Sequence, residues 1–258
     1  MDAVTKDIKQ SVQSQFGSVA ANYATSTVHA KGADLEAMLT AVPLIGNEQV
    51  LDAGTGTGHT ALAFARQTAR VVAVDFTENM LGQGRQLAAE RGITNVDFRL
   101  GDVEQLPADD GAFDLVVSRY SAHHWPHPQQ ALCEFVRVLK PGGTLILNDI
   151  VSYDDLVCDT YLQTIELLRD PSHVRDHSVA QWQGMIAAAG FVESTVIYQG
   201  DVYIDFLNWT ERMATPAANV QLIRTLFDGA PVEFRTVFKI EGNHNFCFTG
   251  AVIRATRP

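Results

Sequence analysis

The sequence has few cysteines, few basic residues and no long apolar segment. Its three cysteines, Cys133, Cys158 and Cys247, are an odd number without Cys-x-x-Cys spacing, which indicates reduced thiols rather than a disulfide framework. The 19 Lys and Arg residues against 30 Asp and Glu residues give a formal net charge of −11, which opposes binding to phosphate backbones and anionic lipids. No segment approaches the roughly 20 apolar residues of a membrane span, and the polar N-terminal segment lacks the apolar core of a signal peptide. We therefore expect a cytoplasmic protein with no nucleic-acid partner and no membrane insertion.

The length and composition are those of an ordinary globular protein. The 258 residues are 46% hydrophobic and 19% charged, and a chain of this length can bury one substantial core. The sequence shows no internal repeat and no low-complexity linker. We expect a single domain spanning residues 1–258, either monomeric or homodimeric.

Short apolar runs alternate with helical segments in the first part of the chain. Strands are predicted at residues 71–75, 96–100, 113–117 and 144–147, with helices after Thr77 and from 129 to 139. This alternation predicts an α/β fold with a parallel, doubly wound sheet, in which ligands bind at the carboxyl ends of the strands.

The C-terminal part of the chain, from about residue 178, follows another pattern. A helix is predicted at 178–189 and strands at 191–198 and 245–254, and a strand that returns without a full crossover pairs antiparallel. Residues 1–45 form a predicted helical cap and residues 201–231 a predicted helical lid. The cofactor-binding core is expected between them, at 46–150, followed by substrate-side helices and final strands at 151–258.

A glycine-rich turn follows the apolar run that ends at Asp52. Gly54, Gly56 and Gly58 occupy alternate positions, so the backbone can bend tightly and approach a ligand. Dinucleotide-binding turns usually have Gly-x-Gly-x-x-Gly spacing, whereas here His59 takes the place of the third glycine. An acid at the mouth of the turn favours a cationic ligand over a pyrophosphate.

Acidic residues also follow the next two predicted strands. Asp75 is placed to accept hydrogen bonds from both hydroxyls of a ribose, although a turn or helix-capping role is the alternative. Asp102, between Gly101 and Val103, is placed to accept a hydrogen bond from an adenine amine while Val103 packs on the ring. The alternative is again a structural role in a turn.

Five motifs in order resemble the class I S-adenosylmethionine-dependent methyltransferases. They are VLDAGTGTG, VVAVDFTENML, GDVEQLP, FDLVVSRYSAHHW and LKPGGTLILND, and they cover roughly residues 45–150. The resemblance is closest to the small-molecule type that includes the ubiquinone and menaquinone biosynthesis methyltransferases.

The resemblance implies a Rossmann-like, seven-stranded sheet with an antiparallel last strand, and S-adenosyl-L-methionine as cofactor. It implies that the glycine turn lies beside the methionine part, Asp75 at the ribose, and Asp102 and Val103 at the adenine. The segment at 16–32 resembles a cap over the cofactor, in which Tyr23 contacts the cofactor and His29 the substrate. The full set of residues expected at the cofactor is Tyr23, Asp52, Gly54, Thr55, Gly56, Gly58, Asp75, Phe76, Met80, Gly101, Asp102, Val103 and Arg119.

Histidines follow the fourth strand, where such enzymes place groups that face the methyl donor. His123 or His124 is the predicted proton acceptor, because a neutral imidazole can take a proton near pH 7; support of the loop is the alternative for each. A metal site that includes His127 is not expected, because Pro126 interrupts any shared helical face.

The predicted substrate residues are His29, Tyr120, His173 and Arg175. For His173 and Arg175 the alternative is a solvated loop.

We therefore expect an S-adenosylmethionine-dependent methyltransferase that acts on a small molecule and releases S-adenosylhomocysteine. Two alternatives remain at this point. One is a protein that binds the cofactor without catalysis, and the other is an NAD(P)-dependent oxidoreductase, which the absence of Gly-x-Gly-x-x-Gly disfavours.

Overall fold

The computed structural model describes residues 7–26 and 30–258. His29, which we expect at the substrate, lies outside the described residues.

Seven strands form one sheet in the order β3-β2-β1-β4-β5-β7-β6. Strands β1 to β5 run parallel, whereas β7 pairs antiparallel with both β5 and β6. The predicted doubly wound sheet with an antiparallel last strand is confirmed. The strands are β1 Gln49–Ala53, β2 Arg70–Asp75, β3 Val96–Leu100, β4 Phe113–Arg119, β5 Leu139–Ile150, β6 Val192–Ile204 and β7 Phe246–Thr256.

Helices lie around this sheet, and local sequence accounts for several of their ends. Helix α5 has proline at its first position, and α7 begins with a capping box in which Ser178 and Gln181 bond each other's backbone amides. The described helices are α1 Ile8–Ala24, α2 Ala33–Leu39, α3 His59–Phe64, α4 Glu78–Glu90, α5 Pro128–Val138, α6 Leu156–Arg169, α7 Val179–Ala189, α8 Phe206–Arg212, α9 Ala217–Asp228 and α10 Val232–Val237.

Helices α8 to α10 are inserted between β6 and β7 and form the predicted lid, which extends a few residues beyond the predicted end. The lid has an apolar core of its own, in which Phe206, Phe227, Phe234 and Phe238 are fully buried against Phe246 of β7. This aromatic packing attaches the lid to the sheet.

Strand order determines where a ligand can bind. Strand β1 lies between β2 and β4, so the chain leaves the sheet in opposite directions on its two sides. A crevice opens at the carboxyl ends of strands at such a switch point. The turns that follow β1, β2 and β4 therefore meet there.

Within the described residues, none of the helices combines the length and apolar character needed to cross a membrane.

Candidate active site

The glycine turn after β1 adopts a backbone that only glycine accepts readily. Gly54, Gly56 and Gly58 have φ values of 71°, 53° and 81°, all in the left-handed region. A Cβ atom on Gly54 would lie 2.0 Å from Oγ of Ser121, so there is also no space for a side chain at this position. The amides of Gly54 and Thr55 both donate to the carbonyl of Val74, which holds the turn against β2.

Asp75, the last residue of β2, joins the second strand end to this turn. Its Oδ2 accepts from the amide of Gly56 at 2.9 Å, and its Oδ1 accepts from the amide of Thr77 at 2.8 Å. The side chain is buried, which raises its pKa above the usual value. Each oxygen keeps acceptor capacity beyond the amide that it already binds, so the carboxylate can still receive hydroxyl donors.

A cavity of about 680 Å³, including its mouth, opens beside the turn. Helix α1 covers the cavity, which thus has walls from the cap and from three strand ends. Eight of the residues expected at the cofactor line it: Tyr23, Gly54, Thr55, Gly56, Asp75, Phe76, Met80 and Arg119. Val12 and Phe16 of α1 line it as well, as do Ser121 and Trp125 of the segment after β4; none of these four was among the expected site residues.

Asp52 lies behind the turn and is only 1% exposed, whereas we expected this acid at the mouth. Strand β1 is covered on both faces, so its last side chains are enclosed. Oδ2 of Asp52 accepts from Oγ1 of Thr55 at 2.6 Å, while Oδ1 has no partner within the described ranges. Burial raises the pKa of Asp52 to about 7. The residue supports the turn from behind and does not line the cavity.

The segment after β3 is held by helix α1. Oδ2 of Asp102 forms an ion pair with Nζ of Lys9 at 2.6 Å, and Oδ1 accepts from the amide of Glu104. The side chain of Val103 packs into the main core. Gly101, Asp102 and Val103 are not on the wall of the cavity in this arrangement, and their adenine role stays a prediction.

Arg119, at the end of β4, is fixed by helix α2. Its Nε donates to Oδ2 of Asp34 at 2.6 Å, and the same oxygen accepts from Asn148 at 2.9 Å. The guanidinium also stacks on the ring of Tyr120, 4.6 Å from its centre. A cation is thus held rigidly at the cavity beside Tyr120, one of the expected substrate residues.

A second cavity of about 510 Å³ adjoins the first. Both are lined by Phe16, Tyr23, Tyr120 and His124. The second cavity extends under the lid, and its further lining residues are His123, Ile150, Glu166, Arg169, Val202, Ile204, Trp209, Arg212 and Phe248.

His123 lines this second cavity and is bound to Asp149 of β5. Its Nδ1 lies 2.7 Å from Oδ1 of Asp149, and its backbone amide donates to Oδ2. Burial lowers the pKa of His123, but the neighbouring carboxylate outweighs this effect and raises the pKa to about 9. Because the carboxylate accepts from Nδ1, the other ring nitrogen, Nε2, is the one left for proton exchange when the ring is neutral.

His124 is held differently. Its Nδ1 lies 3.1 Å from the carbonyl oxygen of Ser172, and its Nε2 lies 3.8 Å from Oδ2 of Asp170. Burial and the adjacent His123 lower its pKa to about 4. Both nitrogens face the turn at 170–172, which is the supporting arrangement that we considered as an alternative.

The other two expected substrate residues lie outside both cavities. His173 is buried behind His123, and burial together with the two other histidines lowers its pKa to about 2. Arg175 forms two hydrogen bonds to the carboxylate of Asp159, at 2.9 and 3.0 Å. These contacts connect the loop to α6, and a substrate role for either residue stays a prediction.

A group of potential metal ligands lies beside the second cavity. The ligand atoms of His123, Asp149 and Asp176 lie within 4.8 Å of one another. This set differs from the histidine triplet considered from the sequence, since His127 bonds Glu104 instead. Nδ1 of His123 and Oδ1 of Asp149 bond each other directly, whereas Oδ2 of Asp176 has no hydrogen-bond partner in the described part of the chain.

Comparison with known proteins identifies the family. Residues 51–147 match the methyltransferase domain family. YcgJ of Bacillus subtilis, described as an uncharacterized methyltransferase, is 35% identical over 95% of this chain and 98% of its own length. Its crystal structure superposes with a TM-score of 0.83 over 87% of this chain and 97% of that chain. The chain belongs to the methyltransferase family.

Two further relatives extend the comparison. A protein described as a methyltransferase from Bacillus halodurans has a TM-score of 0.81 at 33% identity, over 88% of this chain and all of that chain. A ubiquinone/menaquinone biosynthesis C-methyltransferase of Pseudomonas entomophila is 39% identical over 103 residues, 38% of this chain and 40% of that protein. The predicted class, an S-adenosylmethionine-dependent methyltransferase, is confirmed, and the oxidoreductase alternative is set aside.

The first cavity of the methyltransferase suits this cofactor. Its glycine turn leaves space for close approach, and Asp75 offers a fixed carboxylate with acceptor capacity for hydroxyl groups. The side chains of Phe76 and Met80 add apolar surface.

Proposed function

We propose that the methyltransferase transfers a methyl group to a small molecule bound in the second cavity and releases S-adenosylhomocysteine. The observation that supports this most directly is the boundary shared by the two cavities, made by Phe16, Tyr23, Tyr120 and His124. Ligands in the two cavities would meet along this boundary.

The cover of the second cavity favours a small acceptor. Helix α1 closes one side through Phe16 and Tyr23, and α8 of the lid closes another through Trp209 and Arg212. The net charge of −11 also disfavours nucleic acid as the acceptor.

In this proposal the first cavity holds the cofactor through the glycine turn, Asp75, Phe76, Met80 and Tyr23. The cofactor supplies an electrophilic methyl group on a sulfonium centre. The residues of the chain mainly have to align the acceptor with that group, and such orientation lowers a barrier by roughly 7–11 kcal/mol.

We assign proton acceptance to Nε2 of His123. A hydroxyl or an acidic carbon loses a proton as it gains the methyl group, and the proton passes to the neutral imidazole. Asp149 holds the ring through Nδ1 and stabilises the imidazolium that forms. His124 is assigned a positioning role, because both its nitrogens face the turn at 170–172.

Titration calorimetry with S-adenosylhomocysteine tests the cofactor site. We expect saturable binding by the wild-type protein and weaker binding by the Asp75→Asn variant, with NADH as the control ligand. Absence of S-adenosylhomocysteine binding would contradict the proposal.

Incubation of the protein with cell extract and cofactor labelled on the methyl carbon tests transfer. We expect a labelled small molecule to form with the wild-type protein and more slowly with His123→Gln. Cofactor binding without any labelled product would instead support the non-catalytic alternative.

We further propose that the chain acts as a single cytoplasmic domain, as a monomer or homodimer. All three cysteines are free thiols in the structure, in agreement with a reducing compartment. Sedimentation of the purified protein measures the oligomeric state.

A further inference from the structure

The second cavity contains two arginines from different helices. Arg169 is the last residue of α6, and Arg212 is the last residue of α8 in the lid. Two cations at one small apolar site are costly unless anions balance them. The partners of each arginine therefore indicate what the cavity can bind.

Arg169 is balanced within the protein. Its Nη1 lies 3.7 Å from Oε2 of Glu166, its Nε donates to the carbonyl of Trp209, and its Nη2 donates to the hydroxyl of Tyr23. The guanidinium also lies over the indole of Trp209, 5.1 Å from the ring centre. These contacts hold Arg169 in place and pair its charge with Glu166.

Arg212 has no such balance. Its Nη1 donates to the side-chain oxygen of Asn208, which is uncharged, and its guanidinium lies 5.6 Å from the ring centre of Tyr23. Its Nε is buried and has no hydrogen-bond partner in the part of the chain that the structure describes. Burial and the nearby Arg169 lower the pKa of Arg212, the direction expected where positive charge is in excess.

The remaining ionisable groups on the wall do not supply the missing anion. Glu166 faces Arg169, and Asp149 behind the wall pairs with His123. Tyr23 and Tyr120 are phenols, and burial raises the pKa of Tyr120 further. Asp170, next to Arg169, is a further buried carboxylate, and its Oδ2 lies 3.8 Å from Nε2 of His124. None of the carboxylates among the described residues forms an ion pair with Arg212, the second cation of the cavity.

The position of Arg212 shows at which end of the cavity this charge lies. A polar vestibule shares Ile204, Trp209 and Arg212 with the second cavity, and its lining also includes the exposed Asp205 and Glu211. The carboxylate of Asp205 accepts from the backbone amide of Asn208 and so caps helix α8. None of the three shared residues belongs to the wall shared with the first cavity. The second cavity therefore lies between the cofactor cavity and the vestibule, with Arg212 on the vestibule side.

Apolar side chains also line the second cavity. They come from Ile150 of β5, Val202 and Ile204 of β6, Phe248 of β7 and Trp209 of the lid, and the rings of Trp209 and Phe248 lie 5.9 Å apart. This surface suits an acceptor with a hydrocarbon or aromatic body.

We propose that the methyl acceptor is an amphipathic anion, with an apolar, ring-sized body and one oxyanion group that Arg212 binds at the vestibule side. The atom that accepts the methyl group lies at the other end, near His123. This inference rests on the proposed function and specifies its substrate class. The buried Nε of Arg212 and the lack of a carboxylate paired with its guanidinium, within the described residues, are the features that an oxyanion would satisfy, since a guanidinium matches two oxygens at once.

Calorimetry with matched probes tests this inference. The protein is saturated with S-adenosylhomocysteine and titrated with benzoate, 4-hydroxyphenylacetate and 2-naphthoate, and then with the uncharged amide of each. We expect at least one carboxylate to bind about 10- to 100-fold more tightly than its amide, the range for a charge-assisted hydrogen-bonded pair. The Arg212→Gln variant should lose this preference, and Arg212→Lys should keep part of it.

The control variant is Arg66→Gln, which changes the net charge equally at an exposed position of the short segment after α3. Its preference for the carboxylate should equal that of the wild-type protein. If Arg212→Gln does not fold, as judged by thermal melting, the ratio of carboxylate to amide affinity in the wild type and in Arg212→Lys remains decisive.

The outcomes separate the two proposals. If S-adenosylhomocysteine binds but no carboxylate binds better than its amide, or if Arg212→Gln keeps the preference, the inference about the acceptor is overturned and the methyltransferase function stands. If S-adenosylhomocysteine itself does not bind, the proposed function fails and this inference fails with it.

Discussion

Replacement of Asp75 by asparagine removes one charge from the first cavity with little change of shape. In the wild-type protein the two carboxylate oxygens accept from the amides of Gly56 and Thr77. Asparagine keeps one carbonyl oxygen for one of these amides and places an NH₂ group against the other. The change therefore weakens both the support of the glycine turn and the acceptor that the ribose would use.

The expected loss of affinity follows from these contacts. A hydrogen bond to a charged acceptor contributes about 1.5–3 kcal/mol, and a ribose could form two, although such terms are not fully additive. We expect a loss of about 2–4 kcal/mol in the binding of S-adenosylhomocysteine. This corresponds to roughly a 30- to 700-fold rise in Kd.

Calorimetry measures the Kd, and thermal melting checks that the variant is folded. The matched control is Asp97→Asn on β3, since Asp97 pairs with Arg70 and Arg99 at the sheet edge, away from the cavity. The control should bind as the wild type does. A folded Asp75→Asn protein with a Kd within threefold of the wild type would refute the assignment of Asp75 to the cofactor.

Four further predictions address the proton acceptor, the turn and the lid. Because the pKa of His123 is raised to about 9, the rate of transfer to a hydroxyl acceptor should increase as the pH rises toward 9. The His123→Gln variant should lower this rate by about 10²- to 10⁴-fold and make it less dependent on pH. A wild-type rate that does not change with pH would contradict this prediction. The same raised pKa means that the pair with Asp149 stabilises the fold fully below about pH 6.5 and loses this contribution as the pH rises through about 9, so the difference in unfolding free energy between wild type and His123→Gln should shrink over that range. Gly54→Ala should weaken S-adenosylhomocysteine binding and lower the melting temperature, because φ is 71° and Oγ of Ser121 lies 2.0 Å from the new Cβ; wild-type values of both would show that the turn adjusts. Phe234→Ala should cost about 3–5 kcal/mol in urea unfolding, because its ring is fully buried in the lid, and a loss below about 1 kcal/mol would show that the lid adds little to stability.

The strands of the sheet could be predicted because their signal is local. A buried parallel strand is a short apolar run, and the predicted run at 71–75 corresponds to the buried strand β2, which also ends at Asp75. The pairing order depends on which strands meet after folding. The antiparallel last strand could be predicted only because the chain returns to the sheet without a full crossover and because the family resemblance implies it.

Helix α6 was not predicted, although it lies in the described chain between β5 and the expected substrate loop. Its apolar residues Leu162 and Ile165 pack against the lid rather than the sheet. The helical period is present, but nothing in the segment indicates which surface would bury it.

More residues of the cofactor cavity than of the second cavity could be predicted from the sequence. The glycine turn and Asp75 are recognisable because a turn of three glycines after a strand has few structural reasons to exist. Glu166, Arg169 and Arg212 carried no such signal, because charged residues on helices are usually solvated. Asp149 also escaped notice, since its partner His123 lies 26 residues away.

The sequence by itself determined the class of fold, the approximate positions of the strands and the methyl-donor chemistry, because each depends on residues close together in the chain. Only the tertiary structure decided that Asp52 lies behind the turn, that His123 is held by Asp149, and that Arg212 reaches a cavity next to the cofactor site. These features depend on distances between elements far apart in the sequence. The burial and charge balance that set pKa values and ligand preference follow from those distances.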